Sequence, residues 1–554
     1  MSRLARVAQG REPADLLISG GGLVDVFTEE LLDGWGVAVV GGRVAAVGPD
    51  IEALAGPDTR RIDLAGRLVG PGLVEGHTHA SRISLRATAE RQVACGVTTT
   101  VIEAMEFAYV GGPSAVRDFL TEAERATGRV FVTIPPLIGL DDGFEASLAP
   151  AEEWIALLDH RLVLGVGEIY WADLLRGHPR TEALVEAALE RGQVVTGHGA
   201  GARLASLNAL AAWGVGDDHE GIGAGDLLNR LRIGLHSFAR HGATRQDLPE
   251  IAQLWREESA SLRRLSFITD GVEPPELAAG RSLNHVVELA VAEGLPLAAA
   301  WRMGSLSVAE RFGLDRWLGG LGAGMLADLV VIPRAGPLRP EEVLVGGAPP
   351  AATGVETYTA ELLDSVHVGE FDASLLEAPP PGRLRAMELV APLVTREAET
   401  DGSGALRVAV IDRFGRPRAF RGLLLGLGLG GGAVALTTGW ESAGVTVVGD
   451  DAADMRLALD RLVELRGGAV VAAGGRVRAE WRAELLGVQS LAPLSEVVEQ
   501  VGAVQGALRA LGCELPNPLQ TVETLTTAAI PHLRITPEGY VRLRDGARLG
   551  LEVS

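Results

Sequence analysis

With 554 residues, 47% of them apolar and 22% charged, the chain is too long for one hydrophobic core and has the composition of a folded globular protein rather than a disordered one. A formal net charge of −22 argues against nucleic-acid backbones and anionic membrane surfaces as partners and favours a small neutral or cationic molecule. Two cysteines, Cys95 and Cys513, cannot build a disulfide framework or a cysteine metal cluster, and no segment reads as a signal peptide or membrane span, so a cytoplasmic protein is expected.

From Asp15 to Asp63, short β-rich runs alternate with turn signals, as in Leu16-Leu-Ile-Ser-Gly-Gly-Gly and Val37-Ala-Val-Val-Gly-Gly-Arg-Val, and predict a small β-sheet layer. Apolar runs at Val97–Ile102, Val130–Ile134, Val163–Val166, Val194–Thr196 and Leu265–Thr269 each precede a polar turn and an amphipathic stretch. That strand-then-helix order implies parallel strands, and a span of about 270 residues is what an eightfold barrel needs. A further β-rich run, Ala327-Asp-Leu-Val-Val-Ile-Pro with Val343-Leu-Val-Gly-Gly, could complete the first sheet, making the barrel an insertion between its halves. After Pro350 come the Pro-rich Glu377-Ala-Pro-Pro-Pro-Gly, the Gly-rich run Arg421–Gly432, and helical spacing over Asp451–Leu465. The expected fold is therefore α/β, a TIM-type (β/α)8 barrel with a flanking composite β-sheet domain and a C-terminal α+β domain. Boundaries are expected at 1–66 and 325–386 for the composite sheet and linker, 67–324 for the barrel and 387–554 for the last domain.

The strongest local signal is Gly72-Leu-Val-Glu-Gly-His77-Thr-His79. On a strand, residues i and i+2 share a face, so both imidazoles can point into one barrel mouth and share a metal. Taken alone, the pair is also what two polar residues at a strand end would give. Glu168, His198, His219 and Asp270 each follow a candidate strand as well, and six nitrogen and carboxylate ligands suit a pair of borderline divalent ions better than one. The other histidines (His160, His178, His236, His241, His285, His367 and His532) lack a second ligand at metal spacing and read as surface or hydrogen-bonded groups.

This pattern resembles the amidohydrolases, and within them the adenine deaminase family. Pro71-Gly-Leu-Val-Glu-Gly-His-Thr-His79 is similar to the superfamily's first-strand motif, while Gly197-His198, Leu207-Asn-Ala, Asp217-Asp-His-Glu220, Arg240-His-Gly and Asn284-His285 resemble the adenine deaminase middle section. Val394-Thr-Arg-Glu, Gly512-Cys-Glu-Leu-Pro-Asn-Pro and Ile530-Pro-His-Leu-Arg-Ile-Thr are similar to that family's extra C-terminal domain, so the resemblance spans essentially the whole chain. It implies hydrolytic deamination of adenine to hypoxanthine and ammonia by a cation-held hydroxide. His77, His79 and Asp270 would hold one ion and His198 and His219 the other, with Glu168 between them and Asp270 as the base. Manganese, iron or zinc could serve.

Three departures from the family pattern concern residues beyond the metal shell. The usual Ile-Glu-Ser-Ser after the first motif reads Ala80-Ser-Arg-Ile; Asp-Pro-His-Glu reads Glu103-Ala-Met-Glu106; and a C-terminal His-Asp-Ser-His-Asn reads Trp440-Glu-Ser-Ala-Gly444. Exchanging hydrogen-bonding groups for apolar ones should change which substrate edge the pocket satisfies. Arg82, Glu106 and Glu441 are the expected substrate-binding residues, with Glu103 and Trp440 as further pocket candidates. The expected substrate is a purine-like aminated heterocycle, and the expected assembly a homo-oligomer. Alternatives are a cyclic amide hydrolase of the same superfamily and a non-catalytic metal-binding paralogue.

Overall fold

The computed structural model describes residues 2–136, 140, 142–256, 261–351, 354, 356–442, 444–530 and 532–553. Ala443 and Pro531, which fall within two of the motifs above, lie outside the described residues.

Eight strands form one all-parallel sheet in chain order: Leu73–Thr78, Val97–Glu103, Arg129–Ile134, Val163–Tyr170, Val194–His198, Asp217–Asp218, His236–Arg240 and Leu265–Ile268, the first to eighth barrel strands. The sheet curls so that its last strand returns to its first. There the Asp270 amide donates to the His77 carbonyl at 3.1 Å. Beside that bond the buried Glu75 carboxylate accepts from the Thr269 amide and, at 2.8 Å, from its hydroxyl, so a side chain replaces part of the missing backbone ladder. Inside, Val74, Val101, Phe238 and Ile268 meet Val308 and Phe312 at the end opposite the histidines. Alternate strand residues thus fill the bore, as in a packed barrel rather than a pore, and leave only one end for chemistry.

The sixth and seventh strands escape the apolar pattern. Asp217 and Asp218 are both buried, the first paired with Arg311 Nε at 2.6 Å and the second with Arg230 Nε at 2.9 Å. Their burial is possible only because those arginines reach them from elsewhere in the fold.

The β-rich ends form two packed sheets. One orders Arg43–Gly48, Gly36–Val40, Leu16–Ser19 and Arg60–Asp63; the other orders Glu342–Leu344, Leu329–Ile332, Leu68–Pro71, Gly22–Asp25 and Glu30–Asp33. The run after Ala327 therefore joins the facing sheet, not the one that holds Leu16 and Val37. The two layers share a core in which Ile18 and Val37 meet Val69 and Leu329.

The C-terminal region is an eight-stranded mixed sheet with one helix, Ala452–Leu465, on one face and another, Leu494–Ala510, on the other. Along Ala433–Leu436, Ala433 and Ala435 turn to the first helix and Val434 and Leu436 to the second. Burial on both faces explains why these strands read as continuous apolar runs. The helical spacing from Asp451 is a helix capped by the Asp451 carboxylate on the Asp454 amide. Among the described residues no helix is long and apolar enough to cross a membrane.

Candidate metal centre and active site

All six expected ligands converge at the C-terminal ends of the barrel strands. His77 lies at the end of the first strand with His79 just beyond it, Glu168 lies in the fourth, His198 ends the fifth, His219 follows the sixth and Asp270 follows the eighth. Two groups form: His77, His79, Glu168 and Asp270 in one, and Glu168, His198 and His219 in the other, each with ligand atoms within 4.8 Å of one another. Glu168 belongs to both.

Local backbone irregularity aims these groups. The pairing of the fourth with the fifth strand shifts between Val166 and Ile169, and Glu168 sits there at φ +46°. A bulge of this kind re-aims a side chain that regular alternation would send elsewhere. Gly167 allows it, because a Cβ there would meet Glu103 Oε2 at 1.9 Å. Asp270 has φ +57° and Glu441 φ +52°, so three carboxylates around the site occupy the left-handed region, which L residues other than Asn and Asp rarely adopt.

His77 Nε2 lies 3.2 Å from Asp270 Oδ1 and 3.5 Å from Glu168 Oε1, yet has no hydrogen-bond partner among the described residues. His198 Nδ1 and His219 Nε2 are 3.2 Å apart and each 3.3 Å from Glu168 Oε1. His198 Nε2 faces the Ala529 carbonyl at 3.0 Å, which fixes Nε2 as the protonated nitrogen and leaves the Nδ1 lone pair turned inward. Buried imidazole lone pairs and carboxylates aimed at common points, one of them orphaned, fit divalent cations.

The electrostatics fit too. Burial opposes charge on His79, but Glu106 and Glu168 outweigh it and push its pKa up to about 9. Burial likewise opposes ionisation of Glu168 and Asp270; His198, His219 and His77 nevertheless hold Glu168 well below the usual carboxylate range, and Arg240 with His77 does the same for Asp270. Both carboxylates are anions that need positive charge beside them, which protons on histidine or a metal ion can supply.

Sequence reasoning left out Arg240 and Glu220. Arg240 ends the seventh strand and its Nη1 bridges Asp270 Oδ2 at 2.7 Å and Glu220 Oε1 at 2.5 Å. The signal was available in Arg240-His-Gly, but a lone arginine after an unrecognised strand gave no reason to place it.

Above the ligands is a cavity of about 460 Å3, walled on the barrel side by residues that include Met105, Glu106 and Val110 and on the other by Trp440, Glu441 and Ile530 of the C-terminal region. Glu106 Oε1 lies 3.6 Å from His79 Nδ1. Glu441 Oε2 accepts from the Thr527 hydroxyl at 2.8 Å and the Ala528 amide at 2.6 Å; burial and then the charge of Glu168 push its pKa up to about 8. Glu103 is fully buried, takes the Thr133 hydroxyl at 2.5 Å, and is likewise pushed up to about 8 by burial and Glu168. Arg82 lines the cavity, and its guanidinium hydrogen bonds go to Glu273 and Glu523. His236 is hydrogen-bonded to Ser266 inside the barrel and His285 pairs with Glu288 on its helix, both away from the centre.

Residues 386–546 match the model of the adenine deaminase C-terminal domain. The chain is 32% identical to an adenine deaminase of Moorella thermoacetica over 97% of this chain and 96% of that one, and 33% identical to an adenine deaminase of Methylobacterium nodulans over 97% of each. Among solved structures, an N-acetylglucosamine-6-phosphate deacetylase from Pasteurella multocida covers 60% of this chain and 98% of its own, with 13% identity and a TM-score of 0.47. With relatives above 30% identity along nearly its whole length, this chain belongs to the adenine deaminase family of the amidohydrolases, hydrolases of carbon–nitrogen bonds.

Proposed function

We propose that the protein hydrolyses the exocyclic amino group of adenine or a related aminated heterocycle, giving the oxo compound and ammonia. The observation that carries this reading is the pair of ligand groups sharing Glu168 at the barrel mouth, in a chain similar to adenine deaminases from end to end. His77, His79 and Asp270 would hold one divalent ion and His198 and His219 the other, with Glu168 between. Manganese, iron or zinc would suit this nitrogen and carboxylate set. Such ions supply a water acidified from a pKa of 15.7 to about 7.

The chain's own groups divide the remaining work. Arg240 and Thr244 hold Asp270 Oδ2, so Oδ1 faces the ligand cluster, where it takes the proton of the attacking water and passes it to the ring or the leaving amine. Glu106 and Glu441 hold the heterocycle. Burial favours the acid form of Glu441; Thr527 and Ala528 occupy Oε2, and the proton on Oε1 can be donated to a ring nitrogen. Buried, unpaired Cys95 and Cys513 suit a reducing cytoplasm, and a symmetric homo-oligomer is the expected assembly.

The test is ammonia release from adenine and a panel of aminated heterocycles by protein loaded with manganese or iron(II), beside His198→Ala. Release lost in the variant supports the reading; no release from any member, with metal bound, overturns it.

A further inference from the structure

Two of the three departures from the family pattern meet in one buried network. Arg82, where the family pattern has serine, gives Nε at 3.0 Å and Nη2 at 3.2 Å to Glu273, and Nη1 at 2.9 Å and Nη2 at 3.0 Å to Glu523 of the C-terminal region. Its guanidinium carbon stands 5.5 Å from the centroid of the buried Trp481 ring. The backbone is tied at the same place, since the Ser490 amide donates to the Arg82 carbonyl at 2.9 Å and Gln489 Nε2 to that of Ala80.

Glu523 continues the connection toward the cavity. Its carboxylate accepts the Thr438 hydroxyl at 2.7 Å and its carbonyl the Trp440 amide at 2.9 Å. The Thr526 hydroxyl donates to the Trp440 carbonyl at 2.9 Å, and the adjoining Thr527 and Ala528 hold Glu441. An unbroken chain of hydrogen bonds and short backbone therefore runs from the end of the first barrel strand to Trp440 and Glu441, cavity-facing residues of the altered C-terminal motif.

We propose that Arg82 is a positioning residue for substrate selection: through Glu523 it seats the Thr438–Ser442 wall against the barrel mouth and so fixes where Trp440 and Glu441 meet the heterocycle. This rests on the deamination reading for the identity of the substrate, but not for the mechanical connection. The planar fork satisfies two carboxylates at once, which a serine at this position could not do. The arginine and the altered motif then act as one unit, with Arg82 touching no substrate.

The test uses the full-length, metal-loaded protein with Arg82→Ser combined with Glu523→Gln, so that no buried carboxylate is left unpaired, and with Arg82→Lys as the conservative variant. Hydrogen exchange should quicken at the Trp440 and Ala528 amides while the second barrel strand and the bound metal stay as in the parent. For the preferred heterocycle KM should rise by about tenfold with a smaller change in kcat, and Arg82→Lys should recover part of it. Adding Glu441→Ala to the double variant should cost far less than Glu441→Ala costs the parent, because the two act on one contact. Unchanged exchange at both amides, or full additivity with Glu441→Ala, would overturn the proposal. If the parent turns over no heterocycle, the deamination reading fails, and heterocycle affinity followed by tryptophan fluorescence takes the place of KM: weakening in the double variant supports the connection, and unchanged affinity refutes it.

Discussion

The metal shell and the C-terminal wall face each other across one cavity, and they are built in opposite ways. The shell comes from six residues at the mouth of a single barrel, aimed by the five strands that carry them and by bulges such as that at Glu168. The wall comes from a separate sheet, and long-range contacts hold its residues: Thr438 and Trp440 through Glu523, Glu523 through Arg82, and Glu441 through Thr527 and Ala528. The shell carries the ligand types that the family resemblance implies, whereas the wall, together with Met105 on the barrel side, holds the residues read from the sequence as departures from that pattern. Chemistry set by a rigid scaffold and recognition set by an attached cap can change independently, so the two should separate in kinetics.

The largest effect should come from the shell. Asp270→Asn removes the proton acceptor while keeping the Arg240 contact possible, and kcat should fall by about 10²- to 10⁴-fold for every substrate alike. A loss that differed strongly between substrates would break the division between shell and wall.

Glu441 tests the wall. Its pKa of about 8 lies above the ordinary carboxylate range, so the acid form predominates below that pH and is lost as pH rises through it. KM for the heterocycle should therefore rise above about pH 8 in the parent protein. Glu441→Gln, which keeps a neutral donor, should flatten that rise, and Glu441→Ala should raise KM by about tenfold at pH 7, the worth of one buried hydrogen bond. A KM profile in the parent that is flat through pH 8 and beyond would remove Glu441 from substrate contact.

The smallest effect concerns the barrel alone. Burial and then Arg311 lower the pKa of His236 to about 3, against 6.5 for the free group. Unfolding therefore takes up a proton between those values; the stability tied to the neutral ring is present above pH 6.5 and lost as pH falls toward 3, on the order of a few kcal/mol in all. His236→Asn should show a smaller drop in urea midpoint between pH 7 and pH 4.5 than the parent, with heterocycle selectivity unchanged. An identical drop in both would mean that another group carries the acid sensitivity.

The barrel and its ligand shell were legible because their signal is local. An apolar run fixes a strand, a histidine or carboxylate at its end fixes a mouth position, and parallel order fixes which ends gather; His77, His79, Glu168, His198 and Asp270 could each be picked out this way, and His219 by the resemblance of Asp217-Asp-His-Glu220 to the family. Strands of Asp217–Asp218 and His236–Arg240 gave no such run, since their polar side chains are buried against Arg311, Arg230, Asp270 and Ser266 contributed by distant segments.

What the sequence determined by itself was the periodicity of the elements and the histidines and carboxylates that gather at the barrel mouth. Tertiary structure alone decided that Arg82 meets two carboxylates, that the Ala529 carbonyl sets the His198 tautomer, and that the β-rich run after Ala327 joins the facing sheet. The physical reason is range. Apolar period and strand-end placement are written within a few residues, whereas pairing of a buried charge depends on which distant group the fold carries to within about 3 Å of it, and a single buried partner reverses what that charge can do.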